Sequence, residues 1–175
     1  MSLTADAREV LGRWSPPDSA QQALRDSYLA HIDTFDDAMY RTCVPGHLTA
    51  STLVLNASRD QVLLTLHPKV GLWLQMGGHC EPSDSSLRGA AAREAREESG
   101  IPDLVISESP VRLDRHHVGC HGGSWHLDVQ YLAVAPAGAQ ETISAESLDL
   151  AWFCVDALPD LTDDALRALV AAAVS

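Results

Sequence analysis

Between residues 77 and 101 the sequence reads GGHCEPSDSSLRGAAAREAREESGI, and Glu94, Glu97 and Glu98 in it stand at i,i+3 and i,i+4 spacing. On a helix such like-charged neighbours cost a few tenths of a kcal/mol per pair. Acids near a helix C-terminus also oppose the macrodipole, by about 0.3–1 kcal/mol at exposed sites. A bound divalent cation would offset both costs, and carboxylate oxygens with room for water and phosphate are what Mg²⁺ prefers. At about 100° per residue, Leu87, Ala90, Ala91, Glu94, Glu97 and Glu98 share an arc of roughly 120°, with Arg88, Ala92, Arg96 and Ser99 largely opposite. The expected picture is a core-facing stripe that turns from apolar to acidic. The plain alternative is a solvated acidic face with an ordinary Arg93–Glu97 pair.

A second chemistry-bearing stretch, DRHHVGCHGGSWHLD, holds four histidines and one cysteine between residues 116 and 126. One reading makes Cys120, His121 and either His117 or His126 zinc ligands, although the spacing matches no standard finger or ribbon. Another uses strand alternation: Asp114 and His116 share one face, as do His126 and Asp128. If that hairpin faces the acidic helix, these groups and His79 bind phosphate or a further metal. The third reading is a solvated polar hairpin. The hairpin register, and so whether His116 meets His126, is not readable from the sequence. Trp73 and Trp125 are candidates to stack on a base, with packing at a sheet edge as the alternative for Trp73. Of Trp152 and Phe153, which alternate across a strand, one should enter the core. Glu141 and Glu146 are candidate general bases from a loop, or mere surface decoration.

The elements that must position these groups follow from periodicity and punctuation. Residues 1–45 read as a helical N-terminal segment, with one helix opening at Asp18 after Pro16-Pro17. Its apolar positions Ala23, Leu24, Tyr28 and Ile32 suit a cover for the following domain, or a homodimer contact. Strands are expected over 48–56 and 61–67, around LWLQM, over 104–118 and 124–135, and around LDLAWFCVDAL. A helix over 85–99 ends at Gly100 and Pro102, and a closing helix starts near Thr162 or Asp163. This order predicts an α/β layered domain with a mixed sheet over residues 46–175.

Composition narrows the partners. The chain has 175 residues, 12 basic against 24 acidic, for a net charge of −12. That balance disfavours a nucleic-acid polymer or an anionic membrane as partner. A polyanionic small molecule remains compatible if a cation bridges the repulsion. The four cysteines form no CxxC pair, which suits free thiols in a reducing compartment. The absence of an apolar leader or a long apolar run leads to an expectation of a cytoplasmic protein.

Residues 93–101, REAREESGI, with GGHCEP upstream, resemble the Nudix box, the signature of Nudix hydrolases. The second half matches at every defined position, though Ala95 is small for its place. In the first half Asp84 stands where the family has glutamate, and Arg93 comes one residue late, as if the loop were lengthened by one. The resemblance implies a Nudix-type α/β/α sandwich and Mg²⁺-dependent (or Mn²⁺-dependent) hydrolysis of a diphosphate bond in a nucleoside diphosphate linked to another moiety. Nucleoside triphosphates and ADP-ribose-like compounds both fit. It further implies that Glu97 and Glu98 are metal ligands, and that Glu94 is another ligand or the activator of water. The Gly77 carbonyl would supply a further oxygen, and Arg93 would be a supporting arginine partnered by Asp84 or Glu81. Beside these, His79, Trp73, His116, His126 and Glu146 are the substrate-binding candidates. The competing classes are a nucleotide-sensing module without turnover and a small zinc-binding interaction domain.

Overall fold

The computed structural model describes residues 2–119, 123–145 and 147–174. Along them run α1 (Leu3–Arg13), α2 (Ser19–Thr34), β1 (Gly46–Leu55), β2 (Gln61–Leu66), β3 (Trp73–Leu74) and β4 (Met76–His79). Then follow α3 (Leu87–Ser99), β5 (Val105–Ile106), β6 (Arg112–Val118), β7 (Ser124–Val134), β8 (Asp149–Cys154) and α4 (Asp164–Ala173). The N-caps of α2 and α4 fall where the sequence offers them, and Ser86 caps α3. Asp18 accepts from Gln21 N–H, Ser86 from Gly89 N–H and Asp163 from Leu166 N–H. Gly100, at φ 68°, closes α3 in the left-handed conformation that glycine adopts at least cost.

The sheet is mixed. β1 and β7 lie parallel along their whole length, from Gly46 opposite Trp125 to Leu55 opposite Val134. Every other pairing is antiparallel: β2 and β4 on β1, β5 and β6 on β7, β3 and β8 on β2. β1 is buried throughout, as a central strand covered on both faces must be. Its alternate residues part accordingly. Leu48, Ala50 and Val54 join a core with α1, α2 and α3. Leu53 and Leu55 join Val62, Leu64 and the α4 residues Leu166, Leu169 and Val170 on the other face. The result is an α/β/α sandwich.

The stretch 104–118, expected as one strand, is two. Ser107 N–H donates to Leu132 O and Val111 N–H to Gln130 O, so residues 108–110 loop out between two carbonyls of β7. Pro110 has no N–H to give to the ladder. Trp152 and Phe153 both pack, one against each core, which is what alternation on a strand covered on both sides produces.

The N-terminal helices lie on the sheet. Tyr28 and Ile32 of α2 are buried in the α3-side core, and Arg8 ties α1 to α2 through Asp33 at 2.9 Å. Gln21 is 2% exposed; its amide donates to Leu113 O (3.0 Å) and accepts from Leu113 N–H (2.7 Å), so that a side chain extends the β6 ladder. Asp6 Oδ2 accepts from Leu87 N–H at 2.8 Å, giving the first turn of α3 a partner from α1. Among the described residues, no helix is long and apolar enough to cross a membrane.

Candidate active site

α3 packs on β1 and β4, and its arginine organises the acids around it. The Arg93 fork takes both oxygens of Asp84, Nε to Oδ1 at 3.2 Å and Nη2 to Oδ2 at 2.9 Å. Nη1 donates to Glu94 (2.9 Å) and Glu97 (3.3 Å), and Glu81 stands 3.9 Å away. Nη2 also donates to the carbonyl of His79. Asp84 is 7% exposed and Arg93 20%. Burial raises the Asp84 pKa, but the hydrogen bonds from Arg93 and from Glu81 N–H outweigh it and hold the carboxyl below its usual range. The guanidinium is pushed further up by the same bond to Asp84. Of the two acids expected beside Arg93, Asp84 is the main partner.

Glu94 and Glu98 lean toward β4. A Cβ on Gly78 would stand 2.5 Å from Glu94 Oε1, so only a bare backbone lets that carboxylate seat there. Gly77 N–H donates to Glu98 Oε2 at 3.1 Å. Glu97 is 61% exposed. One positive charge therefore stands among Glu81, Asp84, Glu94 and Glu97, with Glu98 one strand position away. This oxygen-only donor set, negatively charged in excess and held by backbone at one side, fits a hard divalent cation. The three α3 glutamates do not bring ligand atoms within 4.8 Å of one another in this conformation.

The buried line of α3 differs from the expected one. Leu87, Ala91, Ala95 and Ser99 run down the core, together with Ala90 and Ala92. Ala92 and Ser99, placed on the outer side by the wheel, are buried; Ser99 Oγ satisfies itself on Ala95 O and Ile101 N–H. The glutamates form the flank of this stripe, at the β4 edge, rather than its continuation. An i,i+4 line drifts around the helix, so the small residues at 91, 95 and 99 follow the sheet while the acids are carried to its border.

The histidines gather on the sheet's α4 side. His47 on β1 is paired with His126 on β7, which is paired with His116 on β6; the register left open by the sequence brings these two together. His79 on β4 comes in diagonally. The ring centroids of His47, His79 and His126 lie 4.9–5.0 Å apart, and His116 is 5.2 Å from His126. Burial and the neighbouring imidazoles push the His126 pKa down to about 3. His116 is raised by its bond to Asp114, 2.8 Å from Nδ1 to Oδ2. In the next rung Asp128, 3% exposed, accepts from Thr49 (2.9 Å), Ser51 (2.6 Å) and Gln130 (3.2 Å), and burial raises its pKa.

The remaining candidates are dispersed. His117 stacks edge-on with Trp125, on the face opposite His116 and His126. A ligand set including His117 would therefore not share the His126 face. Cys120, His121 and Glu146 lie outside the described residues. Trp73 packs edge-to-face on Phe153 against the α4-side core, the sheet-edge alternative. Trp125 is 37% exposed and carries the Arg115 guanidinium over its ring. Glu141 is held by Trp152 Nε1 at 2.9 Å. His47 is the residue that sequence reasoning passed over. Its signal was the polar run His47, Thr49, Ser51 at every second position of a fully buried strand.

Comparison with known proteins agrees with this architecture. Residues 45–173 match the NUDIX domain. No curated protein matches the chain. Among solved structures, a NUDIX-family hydrolase from Clostridium perfringens is similar at 23% identity and a TM-score of 0.61, over 71% of this chain and 93% of that one. An Ap4A hydrolase from C. elegans is similar at 18% and 0.59, over 73% and 94%. The NUDIX domain of Shewanella oneidensis NrtR, complexed with ADP ribose, is similar at 22% and 0.59, over 85% and 96%. With the domain match spanning most of its length, this chain belongs to the Nudix family of hydrolases.

Proposed function

We propose that this protein is a Mg²⁺-dependent pyrophosphohydrolase that cleaves the diphosphate bond of a nucleoside diphosphate joined to another moiety. The substrate is a nucleoside triphosphate or an ADP-ribose-like compound. The observation that carries the reading is the α3 flank. Glu94 is seated on the bare backbone at Gly78 and shares the Arg93 guanidinium with Glu97, and Glu98 is held by the N–H of Gly77.

In this reading Glu94, Glu97, Glu98 and the Gly77 carbonyl hold the cation, with Mn²⁺ able to replace Mg²⁺. When bound, the ion supplies charge neutralisation at the phosphate oxygens and a more acidic water. Glu94 and Glu97 share Arg93 Nη1, so the guanidinium orients both, and one of these carboxylates accepts the proton of the attacking water. Asp84 positions Arg93 in turn. His79, whose carbonyl Arg93 also holds, joins the α3 flank to the polar row of His116 and His126. We assign the substrate's far end to that row. Glu146 stays a candidate for contact with the substrate, whereas Trp73 is taken up by packing on Phe153. Residues 1–45 act as a cover packed on the catalytic domain of 46–175, within a cytoplasmic enzyme.

The test is product formation from nucleoside triphosphates, ADP-ribose and dinucleotides, with Mg²⁺ and with chelator, alongside Glu97→Gln. Metal-dependent turnover that collapses in the variant supports the hydrolase. Binding of one compound without turnover of any would instead support a nucleotide-sensing module.

A further inference from the structure

We infer that His47, His79 and His126 form a second metal site, selective for a zinc-class divalent cation and separate from the carboxylates of α3. One ring nitrogen from each lies within 4.8 Å of the others, and among the described residues this is the group of three His, Cys, Asp or Glu side chains that meets so closely. Three strands deliver them: β1 and β7 in parallel register place His47 beside His126, and β4 carries His79 to the same face. Strand positions fix these side chains more firmly than a loop would.

The donor chemistry decides which ion fits. Three imidazoles suit Zn²⁺, Co²⁺, Ni²⁺ or Cu²⁺, whereas Mg²⁺ takes oxygen. Three nitrogens with a fourth position left for water or an anionic oxygen is the arrangement of an open zinc site. Zn–N bonds of about 2.0–2.1 Å require the nitrogens to draw together by roughly an ångström, a rotation of side chains with the strands unmoved. His47 is fully buried. His126 Nε2 is buried and has no hydrogen-bond partner among the described residues, an arrangement that costs free energy unless something is bound there. The exposed ring of His116, against His126, marks the way in from solvent. Asp114 and Asp128 stand one rung further along the same face and favour a cation. The nearby Arg41 charge, which acts on His126, opposes it.

The experiment is a Zn²⁺ titration of the full chain, previously stripped with chelator, against a chromophoric competitor. It is paired with the visible spectrum and nitrogen-coordination signature of the Co²⁺ form. The wild type is expected to take up one equivalent at micromolar or lower free metal, in the presence of excess Mg²⁺. His126→Ala and the size-conserving His126→Asn should both weaken this by more than about a hundredfold, since even an outer partner of a metal ligand is worth about 10–100-fold. Circular dichroism checks that each variant is folded. His47→Gln should act likewise, while Glu97→Gln/Glu98→Gln should leave Zn²⁺ affinity within about twofold, because those oxygens lie outside the trio. The inference is overturned if the wild type takes up no Zn²⁺, or if both folded His126 variants bind it as the wild type does. It is equally overturned if the glutamate double variant is the one that loses it. None of these readouts depends on turnover, so failure of the hydrolase reading leaves this one standing, and the reverse.

Discussion

The α3 carboxylates and the sheet histidines meet at Gly77–His79, yet they are built in opposite ways. The carboxylates come from one helix, within five residues; one arginine orders Glu94 and Glu97, and the Gly77 N–H holds Glu98. The histidines come from four strands spread between residues 47 and 126, and are ordered by strand register. The first group carries its geometry in its own spacing, because a helix fixes the relation of i to i+3 and i+4. The second has no geometry until the sheet is assembled. The donors differ too: carboxylate oxygens in charge excess on one side, imidazole nitrogens on the other, so the two regions should respond to different ions and different substitutions.

The largest expected effect separates them by activity. Glu97→Gln/Glu98→Gln should lower kcat/KM on the best substrate by about a thousandfold, roughly 4 kcal/mol of transition-state stabilisation. Steady-state kinetics at saturating Mg²⁺ measures this; a loss below tenfold would remove these two from the catalytic group. Next comes Arg93→Ala. It leaves Asp84, which is 7% exposed, without its cation and should cost about 3 kcal/mol in urea unfolding. Arg93→Lys should recover only part, since an ammonium cannot span both Asp84 oxygens. A fully stable Arg93→Ala protein would show that Asp84 is paired by something else.

A smaller effect probes the glycine cradle. Gly78→Ala puts a methyl group against the Glu94 carboxylate and should reduce kcat about thirtyfold while the melting temperature moves little, as for a misplaced catalytic group. Unchanged kcat would mean that Glu94 works from another position. The smallest effect lies on the histidine side. Gln21→Ala strips both hydrogen bonds from Leu113 of β6 and should cost about 1–2 kcal/mol. Amide exchange should then quicken in β6 while α3 stays protected. If both regions loosen together, the sheet and α3 unfold as one unit and the two regions differ only in geometry.

The sequence disclosed local matters well. The caps at Asp18 and Asp163 and the stop at Gly100 are short-range hydrogen-bonding and dihedral preferences, satisfied within a few residues. So is the pairing of Arg93 with a nearby acid, although the spacing left open whether Asp84 or Glu81 would be the main partner. The wheel erred for Ala92 and Ser99 because helical angle alone does not say where the neighbouring sheet lies. A strand expected over 104–118 broke because β7 offered its carbonyls to Ser107 and Val111 and left Pro110 in the loop between them. His47 went unnoticed because a single histidine in an apolar strand has no partner within reach along the chain.

What this chain's sequence determined by itself is the Nudix helix, its caps and the side on which its acids stand, since a helix converts spacing directly into a shared face. What only the tertiary structure decided is which strands stand side by side. The parallel pairing of β1 with β7 joins residues 79 positions apart, at His47 and His126. No local preference encodes that choice; it follows from burying both faces of β1 at once, and with it came the histidine row.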